Sequence, residues 1–207
     1  DTTNLTRDLN SKVSDTRRLI AENAITLVRN DDPAIFPLAR GYRVAYLGVG
    51  LTQDNAFARQ MRTTYNASVF YFDYKKDSTE VPAMLQQLKD QYDVVVIGVH
   101  KFARYPANNF GISRVALQLI QGLQQEQKTI TMVFGNPYAI KNICDARVLV
   151  AAYEDDDITQ VTAADLLQGR FLAKGKLPVT VCESLKFGDG LVEKTILRIV
   201  PADQLGF

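Results

Sequence analysis

The lone histidine, His100, follows the apolar run Asp93-Val-Val-Val-Ile-Gly-Val99 and opens the loop His100-Lys-Phe-Ala-Arg-Tyr105. Imidazole titrates near neutral pH and can serve as a general acid or base. Its own loop offers no acid to orient it, so a hydrogen bond at a strand end is the simpler reading. Arg104 and Tyr105 join it as candidates for a substrate cleft or a domain interface. A second cluster, Glu154-Asp-Asp-Asp157, follows Tyr153. Crowded carboxylates can bind a cation or a sugar hydroxyl, but acids before a helix also complement its N-terminus by up to about 1 kcal/mol. Helix capping accounts for Asp156 and Asp157 and leaves Tyr153 and Glu154 as candidates. A third cluster, Asn136-Pro137-Tyr138, reads first as a turn, although an amide beside an aromatic also suits a sugar.

Gly48-Val-Gly50 ends an apolar run, and Asp73 closes the next one, as in a dinucleotide-binding fingerprint. Gln53 stands where the third glycine belongs, so a plain turn is the stronger reading. No Gly-x-Ser-x-Gly elbow or phosphate-binding Gly-x-x-x-x-Gly-Lys loop is present. Cys144 and Cys182 have no metal-ligand spacing and are expected as a buried reduced pair rather than a disulfide. No catalytic residue, metal or cofactor is assigned.

These candidates lie far apart and need a scaffold that gathers strand ends. Apolar runs at Ile25–Asn30, Arg43–Gly50, Ser68–Asp73, Asp93–Val99, Thr129–Phe134, Ala146–Ala152 and Val179–Cys182 read as strands. They alternate with helical periods at Asn55–Tyr65, Ser78–Gln91, Ser113–Gln127 and Ile158–Gln168. Ser78 is the expected N-cap of its helix. Near-continuous apolar strands imply cover on both faces. The fold class is therefore α/β: a doubly wound, mainly parallel sheet with helices on both faces, a flavodoxin-like three-layer sandwich. A further helix precedes this alternation, with apolar residues at Leu5, Leu9, Val13, Leu19, Ile20 and Ala24.

The chain has 207 residues, 46% hydrophobic and 23% charged, with a formal net charge of +1. This composition supports one sizeable core. It contains no basic block that would call for nucleic acid and no apolar run near the roughly 20 residues of a membrane span. The chain starts at Asp1 without a signal peptide and reads as a piece of something longer.

Several blocks, in order, resemble the sandwich domain of family-3 glycoside hydrolases, especially the bacterial β-N-acetylglucosaminidase-like branch. They are Ala21-Glu-Asn-Ala-Ile-Thr-Leu-Val-Arg-Asn30, Phe36-Pro-Leu38, Val44-Ala-Tyr-Leu-Gly48, Phe134-Gly-Asn-Pro-Tyr138, Ala152-Tyr-Glu154, Thr159-Gln160, Gly169 and Gly175-Lys-Leu-Pro-Val179. The resemblance implies that residues 1–24 are a helical lead-in from a (β/α) barrel and that 25–185 are the sandwich. Residues 186–207 would be a tail toward a possible β-lactamase-like domain. It further implies a carbohydrate substrate, β-N-acetylglucosaminides or β-glucosides, and a periplasmic or extracellular bacterial setting. The family's nucleophile lies on the barrel, and nothing here matches it or the barrel's Lys-His pattern. Some glucosidase-like members carry an acid/base glutamate on the sandwich, a role to which Glu154 is not aligned. The expected activity of the chain alone is therefore none. The alternative is a flavodoxin-like module that binds its own small molecule or nucleotide.

Overall fold

The computed structural model describes residues 12–192. Six strands form one sheet: β1 (Thr26–Asn30), β2 (Val44–Val49), β3 (Ser68–Phe72), β4 (Val94–Val99), β5 (Thr129–Val133) and β6 (Val148–Ala151). Their order across the sheet is β1-β6-β5-β4-β2-β3. All neighbours are parallel except β1, which runs antiparallel along the edge of β6. Helices α1 (Val13–Ala24), α2 (Ala56–Tyr65), α3 (Glu80–Gln91), α4 (Arg114–Glu126) and α5 (Asp157–Leu167) complete the three layers. The doubly wound α/β architecture expected from the strand–helix alternation is the one observed.

The period of two along a strand sorts the core into two halves. Ala45, Leu47, Val95, Ile97 and Leu149 face a cluster completed by α3 and α4 through Leu88, Leu119 and Leu123. Val44, Tyr46, Val94, Val96 and Val150 face the other, completed by α1, α2 and α5 through Ala21, Phe57, Met61 and Ala164. Residues of β2 and β4 are buried throughout, as two-sided cover requires.

Helix starts follow capping chemistry. Asn55, Ser113 and Asp156 each accept a hydrogen bond from the backbone N–H three residues on, at 2.8, 3.2 and 3.0 Å. The expected cap Ser78 is not used. Asp77 Oδ1 instead accepts from Thr79 N–H at 2.9 Å, because its carboxylate reaches the free amides of the first turn. At the other end of α5, Gly169 takes φ 68° and closes the helix by donating to Leu166 O.

Two further expectations fail. Cys144 and Cys182 are joined as a disulfide, not a reduced pair. The chain after α5 folds back past β1 and brings the two together, and that path has no signature in the spacing. Val179–Cys182 is not a strand; only an isolated bridge pairs Cys182 with Leu185. The main chain there closes on itself, with the N–H groups of Val181 and Cys182 both donating to Leu185 O. Backbone bonds from Leu177 N–H to Asp189 O and from Leu191 N–H to Leu27 O hold the segment across this end instead. Leu5, Leu9 and residues 193–207 lie outside the described residues.

Candidate functional site

In the parallel part of the sheet the strand order reverses between β2 and β4, where such sheets ordinarily open a ligand crevice. Here that crevice is filled. Tyr74 donates its hydroxyl to His100 O at 2.7 Å. Gly50 has φ 85°, and a Cβ on it would lie 2.3 Å from His100 O and 2.7 Å from the Tyr74 ring. Gly50 is thus a close-packing residue, set against the His100 carbonyl and the Tyr74 ring. Asp73 spends a carboxylate oxygen on the N–H of Lys75.

His100 is fully buried beneath this point. Its ring stacks on Phe134 with centroids 4.3 Å apart. Nδ1 lies 2.7 Å from Asp155 Oδ1, and Nε2 lies 2.7 Å from the Tyr46 hydroxyl. Burial pushes the imidazole below its ordinary value against the pull of Asp155. Burial also holds the Tyr46 phenol well above its own. The consistent assignment is a neutral ring that donates from Nδ1 to the carboxylate and accepts at Nε2 from Tyr46. Burial alone would raise Asp155. Bonds from His100, Lys101 N–H (2.9 Å) and Gln160 Nε2 (2.8 Å) outweigh it and hold the carboxyl below its usual range. Gln160 Oε1 in turn accepts the N–H groups of Ala56 and Phe57 at the start of α2. One polar chain therefore runs from β2 through β4 and the loop after β6 to α2.

The cavity lies one strand further along, among the loops that follow β4, β5 and β6. It measures about 520 Å³, and its lining includes Lys101, Arg104, Asn136, Tyr138, Tyr153 and Glu154. Asn136 ties two of its loops by donating from Nδ2 to Arg104 O at 2.9 Å while its Oδ1 accepts from Tyr138 N–H. Tyr153 sits at φ 70° and Lys101 at φ 49°, left-handed conformations unusual for side chains of this size. The Tyr153 hydroxyl lies 2.6 Å from Thr26 Oγ1. Arg104, Asn136, Tyr138, Tyr153 and Glu154 thus meet at one cavity, with Asp155 anchoring its edge. Tyr105 is 74% exposed and outside the wall. His100 lies under the floor and does not line it.

Asp155, Tyr46 and Gln160 escaped sequence reasoning. A tyrosine inside a continuous apolar strand does signal a need for a buried partner. Nothing local identifies Asp155, because β5 separates the strand preceding it from that of His100. Among the described residues no group of three His, Cys, Asp or Glu could hold a metal, and no helix is long and apolar enough to cross a membrane.

No family model matches the chain, and no curated protein matches it. Solved structures do. A fungal multi-domain family-3 β-N-acetylglucosaminidase, described as having a GCN5-related glucosamine N-acetyltransferase region, superposes with a TM-score of 0.64 at 18% identity, over 86% of this chain and 20% of that one. The family-3 β-N-acetylglucosaminidase of Paenibacillus sp. str. FPU-7 gives 0.63 at 22% identity, over 79% and 32%. The glucose complex of Listeria innocua β-glucosidase gives 0.64 at 18%, over 79% and 26%. The chain spans between a fifth and a third of these proteins, and at such identities the likeness is one of fold. That fold is shared with part of β-N-acetylglucosaminidase and β-glucosidase structures.

Proposed function

We propose that the chain is the second, α/β sandwich domain of a family-3 glycosidase. In this reading it packs on the catalytic barrel of the same polypeptide and offers the loops after β4, β5 and β6 to one side of the substrate cleft. The observation that carries it is the cavity itself: Tyr138, Tyr153, Asn136, Arg104 and Glu154 gathered at strand ends on a fold that glycosidases share. Flat aromatic faces beside amide and charged groups suit a sugar ring with its hydroxyls. The substrates proposed are β-N-acetylglucosaminides or β-glucosides. An exposed apolar face on α1, with Leu19 and Ile20 at 60% and 61% exposure, supports packing against another domain.

The chain alone is not catalytic in this reading. Retaining hydrolysis needs two carboxyl groups about 5 Å apart across the scissile bond. Of the two acids at the cavity, Asp155 is committed to His100 and Lys101, which leaves Glu154 without a second. The expected outcome is no turnover of a chromogenic N-acetyl-β-glucosaminide by the purified chain. Titration with N-acetylglucosamine or glucose should shift the NMR amide signals of Arg104, Asn136, Tyr138 and Glu154. Turnover by clean protein, or shifts only around Gly50 and Asp73 on adding a nucleotide, would overturn the proposal.

A further inference from the structure

Val179 forms part of the cavity wall, and the carbonyl of nearby Lys176 accepts from the Tyr153 hydroxyl at 3.4 Å. Around it the main chain bonds largely to itself. The N–H groups of Val181 and Cys182 donate to Leu185 O at 3.0 and 3.4 Å, and Leu185 N–H returns to Cys182 O at 3.3 Å. The segment's ties to the rest of the domain include the buried side chains of Leu177, Val181 and Leu185, the Tyr153 bond to Lys176 O, a bond from Arg29 Nη2 to Ser184 Oγ at 3.2 Å, and the disulfide. Cys144 follows the turn Pro137–Asn142, which carries Tyr138 onto the cavity's other side. Arg29 reinforces the same junction by donating from Nη1 to Cys144 O at 2.6 Å. A single covalent bond therefore joins the bases of two cavity walls.

A segment with few backbone bonds to a sheet opens locally before the sheet does. We infer that the cavity is a property of the oxidised chain: the Cys144–Cys182 bond locks the wall at residues 176–185, and its reduction releases that wall while the sheet stays folded. Both cysteines are partly exposed, so a thiol can reach them. With an external dithiol, a thiolate attacks one sulfur and expels the other cysteine as thiolate. The second thiol then resolves the mixed disulfide. Two electrons and two protons pass to Cys144 and Cys182, and the reductant leaves as its cyclic disulfide.

Hydrogen–deuterium exchange on the whole chain, with and without dithiothreitol, tests it, and a Cys144→Ser/Cys182→Ser variant provides an independent route to the same state. The expected result is exchange at least about tenfold faster for the amides of Leu177, Val181, Cys182 and Leu185, with β4 and β5 unchanged. Equal acceleration across the sheet would make the bond a general staple and overturn the inference. So would unchanged exchange in the segment, or complete alkylation of both cysteines before any reductant is added. No sugar enters this measurement, so its failure leaves the glycosidase reading untouched.

Discussion

His100 has the chemistry of a catalytic base and the surroundings of a structural one. Its two nitrogens are spent on Asp155 and Tyr46, and it has no exposed surface. Its work is to fix Asp155, and through Asp155 the Lys101 amide and the loop that presents Tyr153 and Glu154. The pH dependence follows from the direction of its shift. The folded ring binds its proton more weakly than the unfolded one, so its stabilising contribution is full above about pH 6.5 and is lost as pH falls through the folded value. Asp155 is also depressed, and its share is lost in the same direction at lower pH, below about 3.9. Urea midpoints measured from pH 8 to pH 4.5 should fall for the native chain and stay nearly flat for His100→Gln. His100→Ala should lose about 2–4 kcal/mol, since it orphans a buried hydroxyl and a carboxylate. A native-like midpoint in that variant would show that the polar chain contributes nothing.

At the scale of elements, the alternation of apolar runs and helical periods was enough to specify the layers. Two-sided burial leaves few alternatives for runs such as Val94–Val99. The failures came where an element depends on a distant neighbour. Val179–Cys182 has the composition of a strand, but its main chain turns back to bond Leu185 and pairs with no strand of the sheet. The segment from Gly169 to Val181 is better understood as a brace across the junction of α1 and β1. Gly175 lies so close to that junction that a Cβ would stand 2.0 Å from Ala24 O and 2.5 Å from Thr26 Oγ1. Backbone cannot yield as a flexible side chain does, so Gly175→Ala should cost about 1–3 kcal/mol in thermal or urea denaturation. An unchanged transition would mean that the brace is loosely seated.

For the molecule as a whole, α1 presents an apolar face to water. Ala21 turns inward, while Val13, Leu19 and Ile20 are open to water. Replacing Leu19 and Ile20 by Ser should therefore change the stability of the isolated chain by no more than about 0.5 kcal/mol. A loss above about 2 kcal/mol, read from the melting transition, would mean that these side chains support this domain and not a partner. In the proposed glycosidase reading the same face fits the placement of the candidate residues: among the described residues the cavity is lined by Glu154 and Asp155, and Asp155 is held by His100 and Lys101.

The residue pattern by itself determined the α/β class, the positions of the six strands and of the helices between them, and the three loops at strand ends where candidate residues lie. Those features follow from local periodicity and turn chemistry, which act over a few residues. Only the tertiary structure decided that Asp155 and not Glu154 partners His100, that Gly50 is sealed by Tyr74, and that Cys144 meets Cys182. Each of these depends on strand order and on chain returning from far away. Strand order is set by packing two faces at once, and no spacing along the chain records it.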